Sequence, residues 1–246
     1  MSTVLERPPT TALPAPAATL PWACSRRLTL REFAEPDHDA LLAMHEEPRL
    51  RAHLVDDYPL HVSAVVRLFL QRLARIYREH EGLGIWHASL LEPQPTFAGW
   101  FNLMPMAERP GEVEIGSRLL PHAWGSGLAL EGGEMLLDHA FDDIGLPHVW
   151  GICHPANRSA RAVVAALGFE PMGLLPYDGG MASHHRIDMN AWRALRNIPR
   201  GTRLRRALRS QVVSAGRAAD PHEDKAHEQN DPPPGPSGRP DHRSPR

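Results

Sequence analysis

Lysine is all but missing from this chain. Of its 27 basic residues only Lys225 is not arginine, which reads as a bias of the genome rather than as chemistry. Cysteine is nearly as scarce. Cys24 and Cys153 are too few for a disulfide framework, and a reducing, cytoplasmic setting is the simpler expectation. No run of about 18 apolar residues occurs, so no membrane-spanning helix is expected. Net charge is lacking too. The 27 Lys and Arg stand against 29 Asp and Glu, a formal charge of −2 over 246 residues, whereas a dedicated nucleic-acid-binding domain would be strongly basic. Metal-ligand spacing is also missing. There is no H-E-x-x-H, the two cysteines have no partner, and adjacent His184 and His185 would face opposite ways in a strand. No metal is expected.

Proline, by contrast, is plentiful at 25 residues, more than one packed domain needs. Residues 1–25 are rich in Pro, Ala and Thr and follow neither strand nor helix periodicity, so a disordered tail is expected there. It is not expected to act as a signal peptide. Glu6 and Arg7 cancel, and Pro14, Pro16 and Pro21 interrupt any apolar helical region. Residues 197–246 end in a polar, Pro-rich stretch and are also expected to be disordered. Within them Thr202–Ala215 has the makings of a short basic helix, read here as a solvated arginine-rich extension. Residues 193–246 hold 12 basic and 6 acidic groups, which leaves 15 and 23 for the rest. The tail is therefore +6 and the body −8. Any weak polyanion contact, to RNA, ribosome or an acidic partner, would be confined to the tail.

Residues 26–196 carry the patterns of one domain. Arg27–Phe33 alternates as a strand does, and Pro36 suits the first turn of a helix to about Met44. From Val62 to Tyr77 apolar residues recur at helical spacing, and Gly82 and Gly84 end the run. Ile85–Leu91 and Thr96–Leu103 form a hairpin candidate across Glu92–Pro95, with Trp86, Trp100 and Phe101 expected in its core. Glu112–Leu119 is a further strand, Leu128–Phe141 a helix and His148–Cys153 a strand. Asn157–Leu167 is a helix stopped by Gly168, and Phe169–Leu174 and His184–Met189 supply the last strands. This order predicts an α/β (α+β) fold with a mixed, largely antiparallel sheet and helices on both faces.

The most informative stretch is Leu119–Glu131, LLPHAWGSGLALE. A strand ends, Pro121 turns the chain, and Gly125 and Gly127 precede a helix. Glycines let backbone approach a ligand closely, and free N–H groups at a helix start favour an anion. The Gly-Lys-Ser/Thr ending of a P-loop is absent, as is the three-glycine dinucleotide fingerprint. The spacing therefore suggests a pyrophosphate cradle, or an ordinary glycine-rich turn.

From His122 to Gly127 the sequence resembles the Q/R-x-x-G-x-G/A motif of the GNAT N-acetyltransferases. It is similar in particular to the Rim-type branch, which acetylates protein N-terminal amines and some small molecules. Glu114-Ile-Gly, then L-x-P-x-x-W-G-x-G-x-A-x-E from Leu119 to Glu131, Ala140-Phe141, Asn157-x-Ser159 and Leu167-Gly-Phe follow that pattern in order. Two departures stand out. His122 replaces the usual Gln or Arg, and Val163–Ala166 occupies the region where many members place a proton-donating Tyr.

The resemblance implies an acetyl-CoA-dependent transfer of an acetyl group to a primary amine, by direct attack on the thioester. A monomer or a homodimer is expected. His122, Trp124, Gly125, Ser126, Gly127, Leu128 and Ala129 would hold the pyrophosphate. Backbone from Ile115 through Gly116 to Ser117 would polarise the thioester carbonyl. Glu114 is the candidate base, as an alternative to a plain surface strand residue. Asn157 and Ser159 would meet the CoA arm, Asn157 also serving as a helix cap. Ser159, Asn157 through water, or Tyr177 would protonate the thiolate. Glu131 reads equally well as a favourable helix-dipole contact. His53, His61 and His87 are open candidates for an acceptor pocket. The alternatives are a non-catalytic CoA-binding module of the same fold, or a ribosome- or RNA-associated module.

Overall fold

Alternating apolar residues decide which face of each strand is covered. In the hairpin, Ile85 and Trp100 belong to one apolar cluster, while Trp86, Ala88, Phe101 and Leu103 belong to another. Period-two alternation thus feeds two cores, one on each side of a single sheet. The structure, a computed structural model, describes residues 22–52, 54, 59–178 and 180–218, with side chains to residue 210.

The strands are β1 (Ala23–Cys24), β2 (Leu28–Glu32), β3 (Gly84–Leu90), β4 (Thr96–Pro105), β5 (Val113–Leu119), β6 (His148–Cys153), β7 (Glu170–Tyr177) and β8 (Gly180–Asp188). They form one sheet in the order β1-β2-β3-β4-β5-β6-β8-β7. Every pairing is antiparallel except β5 with β6, which is parallel. The expected mixed, largely antiparallel sheet is what the structure shows.

Helices α1 (His38–Glu46), α2 (Pro48–Arg51) and α3 (Ser63–Glu79) cover one face. In α3 the helical spacing buries Val66, Phe69, Leu70, Leu73 and Ile76. Helices α4 (Leu128–Asp138), α5 (Arg158–Ala166) and α6 (Met189–Leu195) cover the other. The last turn of α4 widens into a π-turn at His139–Asp143, so the expected helix to Phe141 is continuous but not uniform. Helix α7 runs from Arg200 to Ala218.

Both expected tail boundaries are corrected. Ala23–Cys24 pairs with Thr29 and Leu30, and the Trp22 ring stacks on Trp86 at 4.3 Å, so order begins before residue 26. The expected disorder from residue 197 fails over α7, because Arg203 and Ala207 are buried and Leu204 packs on the core. The basic helix expected over Thr202–Ala215 is present, but Arg203 in it is buried against Glu134, while Arg205, Arg206 and Arg209 are exposed. Residues 1–21 and 219–246 lie outside the described residues. By its internal contacts the chain divides after Leu208, and the second unit is described only as the continuation of α7 to Ala218.

Candidate active site

The parallel pair β5–β6 holds together over just two positions, Glu114 with Trp150 and Ile115 with Gly151. Beyond them the strands part, while β5 stays paired with β4 out to Leu119. In an antiparallel pair every second residue turns its backbone polar groups away from its partner. The stretch from Gly116 to Arg118 therefore offers N–H and C=O groups to the opening. A cleft of about 870 Å³ lies there, lined by Glu114, Gly116, Gly125, Gly127, Asn157 and Tyr177 among others.

The loop after β5 is shaped by hydrogen bonds that draw its carbonyls inward. Trp124 Nε1 donates to Leu119 O at 2.6 Å, Ser126 Oγ to Ala123 O at 3.0 Å, and Arg27 Nη1 to Ser126 O at 2.9 Å. Gly125 and Gly127 adopt φ of +72° and +78°, and a Cβ built on either meets nothing within 4 Å. Both conditions are those of a bare cradle, since L side chains resist that φ. Gly127 caps α4, whose first-turn N–H groups have no intrahelical acceptor. Donors, dipole and open space fit a pyrophosphate.

Not every expected loop residue faces this space. Trp124, Gly125, Gly127, Leu128 and Ala129 line the cleft. His122 is exposed on the preceding turn and Ser126 braces the loop from behind. Neither lines the cleft. Glu131 is 1% exposed and structural. It accepts from Ser25 Oγ at 2.6 Å, Arg27 Nε at 2.8 Å and Arg200 Nη1 at 3.2 Å. Burial alone would raise its pKa, but these donors and the two guanidinium charges outweigh it and hold the carboxyl below its usual value.

At the other end of the opening, the Tyr177 hydroxyl donates to Glu114 at 3.2 Å to Oε1 and 3.3 Å to Oε2. Strand β7 thus returns a phenol to the carboxylate of β5 across 63 residues of chain. Glu112 is held apart from them by His148 and by Trp150 Nε1 at 2.7 Å. Asn157 Oδ1 caps α5 by accepting from Ala160 N at 3.0 Å, and Ser159 is exposed in the first turn. Both line the cleft. Cys153 lines it too, its thiol pushed up to about 11 by burial. His61 bonds Arg51 at 2.8 Å, and His87 sits in the sheet beside Phe33 and Phe97. Neither reaches the cleft, and His53 lies outside the described residues.

Two residues were missed as site residues. Asn102 is 7% exposed, stands opposite Gly116 and lines the cleft. A Cβ on Gly116 would lie 2.5 Å from its Oδ1, so the glycine makes room for the amide. Trp100, expected in the core, is buried but also lines the cleft, and its Nε1 has no hydrogen-bond partner among the described residues. An asparagine inside the apolar run AGWFNLM was the available signal for the first. Among the described residues no cluster of His, Cys, Asp and Glu is placed to hold a metal, and no helix is long and apolar enough to cross a membrane.

Comparison with known proteins identifies the family and the fold. The model of the acetyltransferase (GNAT) domain matches residues 27–170. The chain belongs to the GNAT acetyltransferase family. As a member it is an enzyme of the N-acetyltransferase class, and the family's acetyl donor is acetyl-CoA. It is 35% identical over 94 residues to the FsC-acetyl coenzyme A-N(2)-transacetylase of Aspergillus fumigatus, a match covering 35% of this chain and 39% of the fungal protein. The N-acetyltransferase YoaA of Bacillus subtilis is 22% identical over 64% of this chain and 92% of its own length. Solved GNAT structures share the fold. An acetyltransferase from Agrobacterium tumefaciens superposes with a TM-score of 0.57 at 23% identity, over 76% of this chain and 98% of its own. RimL, a ribosomal-protein α-N-acetyltransferase solved with coenzyme A, gives 0.55 at 18% identity, over 68% and 97%.

Proposed function

We propose that the enzyme transfers the acetyl group of acetyl-CoA to a primary amine, with Glu114 and Tyr177 as the acid–base pair. The observation that carries this reading is one cleft with an anion cradle at one end, a hydroxyl–carboxylate pair at the other and unpaired strand backbone between them. Bound there, acetyl-CoA supplies an activated acyl carbon. Amides of the cradle from Gly125 to Ala129 bind its pyrophosphate. An N–H of the Gly116–Arg118 stretch hydrogen-bonds the carbonyl oxygen as negative charge grows on it. Glu114 takes a proton from the attacking amine, directly or through water. Tyr177 gives its proton to the departing sulfur and recovers one from Glu114 through their hydrogen bond. The balance is one amide and one thiol, with both side chains restored. Asn157 and Ser159 border the CoA arm.

The acceptor side is lined by Phe69, Leu73, Ile85 and Trp100, with Asn102 and the free Trp100 Nε1 as its neutral polar groups. That favours an amine with an apolar body and a nearby carbonyl or hydroxyl, whether a peptide N-terminus or a small molecule. Calorimetric titration of acetyl-CoA into the full chain tests the reading. Wild type should bind, and a variant carrying Gly125→Glu and Gly127→Glu should not. A screen of amines read by thiol release then identifies acceptors. No binding by wild type sinks the reading.

A further inference from the structure

Helix α7 lies beyond the residues that the family model matches, yet it reaches the cleft. Leu204 and Leu208, one turn apart on one face of α7, line it. So do Ala129 and Gly133 on α4, and Ala160 and Val163 on α5 with Leu167 just past its end. Three helices thus turn apolar, turn-spaced stripes toward one passage shared with the cradle at Gly125 and Gly127. Leu204 packs on the core, whereas Leu208 is 48% exposed. The protein's own packing gives no reason for a leucine at 208.

The helix is also clamped at its start. Arg203, 3% exposed, donates from Nε to Ile198 O at 2.9 Å and from Nη1 to Ala166 O at 3.1 Å, and pairs with Glu134. Arg200 pairs with Glu134 and, at 3.2 Å, with Glu131. Glu134 is therefore neutralised from α7, and Glu131 is shared between Arg200 and its closer partner Arg27. Left unpaired, the two carboxylates would place negative charge behind the helix end that receives a pyrophosphate.

We propose that α7 is the outer wall of the acetyl-CoA groove. Leu208 covers the apolar stretch of the pantetheine arm, and Arg200 and Arg203 cancel carboxylate charge behind the phosphate-binding turn. The small residues Ala129 and Ala160 leave room for the arm between the helices, while the bare Gly133 admits the Leu167 side chain. This inference rests on the acetyltransferase reading and extends it to an element outside the matched domain.

The test is titration of acetyl-CoA into the full chain and three variants, with a thermal melt of each in the absence of ligand. Leu208→Glu should weaken binding at least about tenfold, the effect of removing one buried leucine contact. Leu208→Met should bind like wild type. Arg200→Gln, at a half-exposed position that should not disturb folding, should weaken binding about threefold, and the loss should shrink as salt is raised. Wild-type affinity in both Leu208→Glu and Arg200→Gln overturns the wall. Tighter binding by Leu208→Glu also overturns it, because the helix would then obstruct the groove. If wild type binds while the variants match it, only this inference fails. If wild type does not bind, the acetyltransferase reading fails with it.

Discussion

Tyr177, at the end of β7 opposite Gly180 of β8, meets Glu114 of β5 although β6 and β8 lie between those strands in the sheet order. Tyr177→Phe keeps the ring and removes the proton donor. Its turnover should fall about ten- to a hundredfold while the Kd for acetyl-CoA holds, as measured by thiol release and titration. Glu114→Gln should cost more, about a hundred- to a thousandfold in kcat. Asn102→Leu conserves volume, so it should raise the acceptor KM several-fold and leave acetyl-CoA binding alone. Of these residues, Glu114 was legible in the sequence because it precedes Ile115 and Gly116 in a recognisable strand. Tyr177 was one of several candidates, since no local pattern tells a returning strand which residue it will meet. Asn102 was not legible. Its place depends on a cross-strand partner, Gly116, that lacks a side chain.

At the level of elements, strands and helices with strong periodicity were legible: the α3 stripe, the hairpin and the loop into α4. Helix α7 was misread for a physical reason. Arginine spacing alone does not distinguish a solvated face from one whose charges meet Glu131 and Glu134 on another helix. Trp22 and Ala23 were misread because a two-residue strand shows no period at all. Breaking the clamp tests how much α7 matters to stability. Arg203→Leu removes one side of a buried ion pair and orphans the Ala166 carbonyl, so it should cost about 3 kcal/mol in urea unfolding. Trp22→Ala should cost less, about 1–2 kcal/mol, since it removes one stacked ring at the sheet edge.

Taken whole, the domain has an acid-sensitive core. Burial pushes His87 down to about 4, with Arg31 adding to the shift and Asp37 opposing it. His185 is also pushed down to about 4, by burial and then by Arg161 and His184. Both imidazoles are therefore neutral in the fold and take up protons on unfolding below about 6.5. The unfolded state binds more protons between pH 4 and 6.5, so stability must fall as pH drops through that window. Each group contributes up to about 3 kcal/mol by its pKa difference. The melting temperature should decline steadily from pH 7 to pH 4.5, above the range where Asp37 and Glu131 protonate. His185→Gln should flatten that slope. A slope unchanged in that variant would show that His185 is charged in the fold.

The divergence of β5 and β6 has a consequence for how the sheet breathes. Five strands lie on one side of that seam and three on the other, stitched by two residue pairs. A molecule lodged in the gap acts as a rivet, hydrogen-bonding the backbone that neither half can reach. Hydrogen exchange should find those amides of the Gly116–Arg118 stretch that face away from β4 quick to exchange in the free protein and slow with the rivet in place. Stability should then climb with the logarithm of ligand concentration, by about 2.7 kcal/mol at a hundred times Kd. On the proposed mechanism, the line where β5 and β6 part is also the line along which the acetyl donor lies.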